Sequence, residues 1–255
     1  MIDLTGRRAF VTGGSRGIGR ATALLLARAG AHVAVGFRTR REDAEEVVRA
    51  VAGEEAGGRA VAIRGDLGDP EVAKRVVDQV VRALGGLDFL IVNHGVWPPD
   101  DAAVATMADA QLEGTRRANL DGVFFVCRAT IPHLPDGGRI VLVASTAGQR
   151  GEAFHADYAA TKGAVIAFTK SLAVELAPRV NVNCIAPGWV DTEMCEQPFT
   201  RDAGAGRRDI ERLIPLGRVA RPEDIAGPIA FLCSGLAGHV TGEILNVNGG
   251  SVLCG

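Results

Sequence analysis

The feature that most constrains this chain is a regular alternation of two kinds of segment. Short apolar, β-branched runs recur at Arg8–Thr12, His32–Gly36, Ala60–Arg64, Leu87–Val92, Arg139–Ala144, Val180–Ala186 and Glu243–Val247. Between them lie helix-length amphipathic stretches at Gly17–Ala29, Arg41–Glu54, Pro70–Leu84, Glu113–Ile131, Tyr158–Leu176 and Pro222–Ser234. A near-continuous apolar run of this length reads as a strand buried on both faces. Strands separated by helices pair as parallel neighbours through crossovers. The expected fold is therefore α/β: a single Rossmann-type, doubly wound parallel sheet of about seven strands with helices on both faces. No repeat, low-complexity tract or linker divides the chain, so residues 1–255 are expected to form one domain. The stretch Asp191–Arg218, around "RDAGAGRRD", looks irregular and is expected to be a mobile lid.

The first strand runs through "TGGSRGIG", Thr12 to Gly19, directly into a helix. Gly13, Gly17 and Gly19 at such a turn let backbone approach a pyrophosphate at the positive end of the helix. No G-K-[S/T] closes the turn, which excludes a P-loop. Other classes fall away on charge and hydropathy. A formal net charge of -2 gives no electrostatic reason to bind nucleic acid or an anionic membrane. The longest apolar stretch, "ATALLLARAGAHVAVGF", is interrupted by Arg28 and is too short to span a bilayer. "MIDLTGRRAF" lacks the pattern of a signal peptide. Cys127, Cys184, Cys195, Cys233 and Cys254 are odd in number and never in C-x-x-C spacing, so free thiols in a reducing cytoplasm are expected and no metal site is.

The one tyrosine of the chain, Tyr158, stands in "DYAATKGA", four residues before Lys162. On a helix these positions share a face, with Cβ atoms about 5–6 Å apart. An ammonium so close stabilises a phenolate, and the expectation is a phenol drawn below its usual value of about 10. An isolated Y-x-x-x-K is an ordinary surface pair; the rest of the chain decides.

Taken together, "TGGSRGIG", "VNHG" at Val92–Gly95, Asn119, Ser145, "YAATK" and "PGWVDT" at Pro187–Thr192 resemble the short-chain dehydrogenase/reductase family. Ser145 precedes Tyr158 by the 13 residues usual in that family, and the resemblance runs from Leu4 to the closing "TGEILNVNGG". It implies hydride transfer between a nicotinamide and a carbonyl or carbinol carbon. Tyr158 would be the general acid/base, and Lys162 would lower its pKa and bond the nicotinamide ribose. Ser145 would hold the substrate oxygen, and Asn119 would position a water that links Lys162 to solvent.

The resemblance also implies the cofactor contacts. Ser15, Arg16 and Ile18 belong to the glycine turn, Asp66 and Leu67 of "GDL" to the adenine side, and Asn93 and Gly95 to the adenosine ribose. Pro187, Gly188, Val190 and Thr192 would grip the carboxamide side. Within the family's N-N-A-G signature the chain departs twice, with Val92 for the first asparagine and His94 for alanine. His94 is too large to replace alanine passively, so altered packing is expected there without a catalytic role. At the end of the second strand, "GFRTRRE" places Phe37 and Arg38 where an NAD-preferring site carries an acid. Arg38 with Arg16 suits a 2′-phosphate, so NADP(H) is expected over NAD(H).

Substrate is less legible. The nearest resemblance is to 3-oxoacyl-acyl-carrier-protein reductases and related secondary-alcohol dehydrogenases. An acidic carrier protein calls for a basic docking surface, yet "RATIPHLPDGGRIV" offers only Arg128 and Arg139 as fixed positive charges. A free small or medium ketone or secondary alcohol is expected, with the carrier-bound substrate as the alternative. Trp97, Gln149, Phe154, His155, Trp189 and the lid Glu193–Leu216 are the expected pocket walls. The helices Glu113–Ile131 and Tyr158–Leu176 are expected to form the faces of a homotetramer. A non-enzymatic NADP(H)-binding sensor is the other class of function, and the intact Asn119–Ser145–Tyr158–Lys162 set argues against it.

Overall fold

Seven parallel strands pair in the order β3-β2-β1-β4-β5-β6-β7. They are β1 Arg8–Thr12, β2 His32–Phe37, β3 Ala60–Arg64, β4 Phe89–Val92, β5 Gly138–Val143, β6 Val180–Pro187 and β7 Ile244–Val247. The computed structural model describes residues 2–53 and 58–253, with the side chains of all of these except 201–204. Glu54, expected to end the second helix, and Cys254 lie outside the described residues.

Strand alternation builds a core on each side of the sheet. Ala9 and Val11 of β1 join one apolar cluster, with Leu24, Leu26, Val47, Ile225 and Ile229. Phe10 between them points the other way, into a second cluster with Val77, Val80, Val126, Leu172 and Val182. Helices α1 (Gly17–Arg28), α2 (Arg41–Ala52) and α9 (Pro222–Cys233) therefore cover one face. Helices α3 (Pro70–Leu84), α5 (Gly122–Thr130) and α7 (Ala156–Leu176) cover the other. Burying each large apolar side chain contributes about 1.5–3 kcal/mol, which is why these runs rather than local propensity set the register.

The strand order reverses between β1 and β4, whose C-terminal ends pair at Thr12 and Val92. A crevice opens at such a reversal, because the following loops turn to opposite sides of the sheet. Local signals place the helices around it. Asp69 caps α3 by accepting from the backbone N–H groups of Glu71 and Val72 at 2.9 Å, with Pro70 in the first turn and Gly85 left-handed at the end.

Two expectations need correction. The helix expected at Glu113–Ile131 begins earlier, as α4 (Asp109–Arg116), and passes through a π turn at Arg117–Asp121 before α5. Only Thr115 of α4 is buried, so its first turn carries no apolar period to read. The segment expected to be irregular is mostly helical: a short 3-10 turn at Glu193–Cys195 leads into α8 (Glu196–Leu213). Glycines at 204 and 206 each cost about 1 kcal/mol in a helix. Phe199 and Ile210, packed with Ile214, Val219 and Trp189, supply the tertiary burial that overrides them. The Arg207–Glu211 pair adds an i,i+4 contact at 3.1 Å.

Candidate active site

The glycine turn is shaped by close approach. A Cβ on Gly19 would lie 2.2 Å from the Gly13 carbonyl oxygen and 2.5 Å from Asn93 Nδ2. Asn93 Nδ2 donates to the carbonyls of Gly13 (3.0 Å) and Thr12 (3.3 Å), so the loop after β4 braces the turn after β1. Gly13 and Gly17 have φ of 61° and 51°, a region that L side chains avoid. Thr12, which the sequence did not single out, is the hub: its Oγ1 accepts from the Asn93 N–H at 3.0 Å and lies 2.8 Å from His94 Nδ1.

One cavity of about 290 Å³ gathers nearly every residue expected from the sequence. Gly13, Ser15, Arg16, Gly17, Ile18, Phe37, Arg38, Asp66, Leu67, Asn93 and Gly95 line it. So do Ser145, Tyr158, Lys162, Pro187, Gly188, Val190 and Thr192. Gly19 and Asn119 are buried and do not line it. Glu193, Met194 and Cys195, the start of the expected lid wall, also line it, as does Arg40, which no local pattern marks.

Ser145 leaves the end of β5 and its Oγ accepts from the Ala147 N–H at 3.1 Å. The short helix α6 (Ala147–Arg150) that follows rests directly on α7: a Cβ on Gly148 would lie 2.5 Å from the Lys162 carbonyl carbon. This contact holds the serine turn against the helix that carries Tyr158 and Lys162. Lys162 Nζ donates to the Val143 carbonyl at 2.8 Å and sits 5.7 Å from the centre of the Tyr158 ring.

Burial brings the Lys162 ammonium down to about 8. Burial also pushes the Tyr158 phenol up to about 12, although part of its ring faces the cavity; the Ser145 hydroxyl pulls the other way. The expectation of a phenol held below 10 by Lys162 is thus reversed. Desolvation of the phenolate is the largest influence, and the ammonium donates to the Val143 carbonyl.

His94 fits because of Gly122, where a Cβ would lie 2.9 Å from the His94 Nε2. Burial, then the positive charge of Lys162, lowers the imidazole to about 4. Asp66 is anchored rather than free. Burial pushes its carboxyl up, but Arg117 at 2.8 Å and the Gly68 N–H at 3.1 Å pull it below the usual range overall.

The expected pocket walls assemble differently. Trp97 packs on His155 (4.8 Å between centres) and edge-on to Trp189 (5.9 Å), which packs on Phe199 of α8. These residues form an aromatic cluster beside the cavity and do not line it. Gln149 donates to Asn246 Oδ1 at 2.7 Å and is tied to β7. Phe154 is exposed, in a left-handed conformation with φ 64°.

This geometry has relatives. A family model described as enoyl-(acyl carrier protein) reductase matches residues 13–251. The chain is 39% identical over 259 residues to the 3β-hydroxysteroid dehydrogenase 1 of Eggerthella lenta, covering 98% of this chain and 95% of that protein. A short-chain dehydrogenase/reductase from Brucella melitensis superposes with a TM-score of 0.91 at 34% identity, covering 99% of each chain. A Burkholderia cenocepacia short chain dehydrogenase in complex with NADP superposes with a TM-score of 0.89 at 35% identity, covering 97% of this chain and 98% of that one. The chain belongs to the short-chain dehydrogenase/reductase family and is an NAD(P)-dependent oxidoreductase of CH–OH groups.

Proposed function

We propose that this protein is an NADP(H)-dependent reductase or dehydrogenase of a small or medium ketone/secondary alcohol, with Tyr158 as general acid/base. The observation that carries the reading is convergence: Ser145, Tyr158 and Lys162 open into the same cavity as the glycine turn and Arg38. The residues fit a dinucleotide, because Gly13 and Gly17 present bare backbone to the cavity at the start of α1, in a turn packed too closely on His94, Thr192 and Asn93 to admit side chains.

When bound, the nicotinamide supplies or accepts the hydride. The chain manages one proton and one oxygen. Ser145 Oγ accepts from Ala147 and keeps its own O–H to donate to the substrate oxygen. Tyr158, raised to about 12, stays protonated at neutral pH and can donate as the alkoxide forms. Lys162 uses one N–H on Val143 and has two left for ribose hydroxyls. Asp66, Leu67, Asn93 and Gly95 would hold the adenosine side, and Pro187, Gly188, Val190 and Thr192 the carboxamide side. Arg16 and Arg38 would clamp the 2′-phosphate, with NAD(H) the weaker cofactor. We read α8, with the 3-10 turn before it, as the lid.

The carrier-bound alternative is disfavoured by Arg139, whose Nη1 is committed to Asn181 and two backbone carbonyls. Exposed Phe124 on α5 and Val174 on α7 support a homotetramer assembled on those helices. The free thiols among the described residues are consistent with a cytoplasmic protein.

The test is Tyr158→Phe. Turnover of NADPH with a ketone panel should fall by roughly 10²–10⁴-fold, while NADPH titration shows binding retained. Near-native turnover by the variant would end this mechanism.

A further inference from the structure

At the mouth of the cavity three distant segments meet. Arg16 comes from the glycine turn, Arg40 from the residue before α2, and Glu193 from the start of the lid. A single carboxylate oxygen, Glu193 Oε2, receives both guanidinium groups, from Arg16 Nη1 and from Arg40 Nη2 at 3.3 Å. The bridge spans the crevice from the β1–β2 side to the segment following β6. All three residues line the same cavity as Arg38.

We propose that Glu193 is a cofactor-specificity residue: an internal carboxylate that competes with the 2′-phosphate of NADP(H) for Arg16 and Arg40. The inference rests on the reading that Arg16 and Arg38 receive the 2′-phosphate, and it adds Arg40, which lines the same cavity. A guanidinium offers a limited fork of donors, and a phosphate best uses them in pairs. Glu193 takes Arg16 Nη1, so a phosphate that uses the paired Nη1 and Nη2 donors of Arg16 must compete with it. A cofactor with a 2′-hydroxyl makes no such demand and leaves the bridge intact. A negative charge held beside a phosphate also opposes it directly.

The consequence is a coupling. Admission of the phosphate exchanges it for Glu193, and that releases the chain next to Thr192, at the root of the lid. The chain thus carries its cofactor preference as a difference between an attractive arginine cluster and a built-in competitor. The pairs are half exposed, with side-chain accessibilities of 46% for Arg16, 53% for Arg40 and 48% for Glu193. Exposed pairs are weak, so the competition is worth about a two- to fivefold factor.

The experiment is calorimetric titration of wild type and Glu193→Gln with two fragments, adenosine 2′,5′-bisphosphate and 5′-AMP, and with NADP⁺ and NAD⁺. The variant should bind the bisphosphate and NADP⁺ about two- to fivefold more tightly, and 5′-AMP and NAD⁺ unchanged. The gain should shrink as salt rises, because exposed charges are screened within about 10 Å at 0.1 M. Unchanged or weakened bisphosphate binding overturns the inference. So does equal tightening of both fragments, which marks a general opening of the cleft. Failure of the underlying cofactor reading looks different: wild type would then bind the bisphosphate no better than 5′-AMP.

Discussion

The side-chain amide of Asn119 brackets the backbone of Val96: Oδ1 accepts from the Val96 N–H at 2.7 Å, and Nδ2 donates to the Val96 carbonyl at 2.8 Å. The amide satisfies a segment that has left the sheet after β4 and has no strand neighbour there. Gly95 lies between this clamp and Lys162, since a Cβ on it would be 3.1 Å from Asn119 Oδ1 and 3.5 Å from Lys162 Nζ. Asn119 therefore acts on the floor of the site through the backbone. Its side chain is engaged with Val96 and Thr161.

Asn119→Ala should unpair both Val96 groups. The expected cost is about 1–3 kcal/mol, seen as a melting temperature lower by roughly 3–10 °C. Turnover should fall more than NADPH affinity, because the displaced floor lies beside Lys162. A variant with native melting temperature and native turnover would show that the clamp is decorative.

Arg38→Ala should lose NADPH selectively. A guanidinium–phosphate contact is worth on the order of 1.5–3 kcal/mol, or about a 10- to 150-fold loss in kcat/KM for NADPH, with NADH changed little. Equal losses with both cofactors would show that Arg38 does not read the phosphate.

His94 should leave a signature in the pH dependence of stability. Its folded value of about 4 lies below the ordinary 6.5, so the unfolded chain takes up the proton first. Stability is fully present above pH 6.5 and declines as pH falls from 6.5 toward 4, by about 3 kcal/mol over the window. Denaturant titrations at intervals from pH 7 to 4.5 should show that slope in the wild type and a shallower one in His94→Ala. Parallel slopes would mean the ring is not held neutral by the fold.

Substrate form can be read from salt. A free ketone or sugar should give the higher kcat/KM, with little change between low and moderate ionic strength. A 3-oxoacyl carrier-protein substrate that wins by orders of magnitude, and loses its lead as salt rises, would assign Arg128 and Arg150 to a dock. Arg150 already pairs with Glu152 at 2.6 Å, which argues against that outcome.

The β1, β3 and α3 bounds could be read directly from the chain, because strand and helix periods are local properties of adjacent residues. The glycine turn and the Tyr158–Lys162 spacing were legible for the same reason: each lies within one or two turns of backbone. The α8 helix was not, since its glycines argue locally against a helix and only packing of Phe199 and Ile210 overrules them. The Tyr158 pKa was misread because spacing reports the nearest charge, while desolvation depends on everything folded around the phenol. The space for His94 depends on Gly122, the clamp on Val96 depends on a π turn, and Glu193 meets arginines 177 and 153 residues away. Such contacts exist only after the crossovers have brought separate loops to one edge of the sheet, so no local pattern in the chain can carry them.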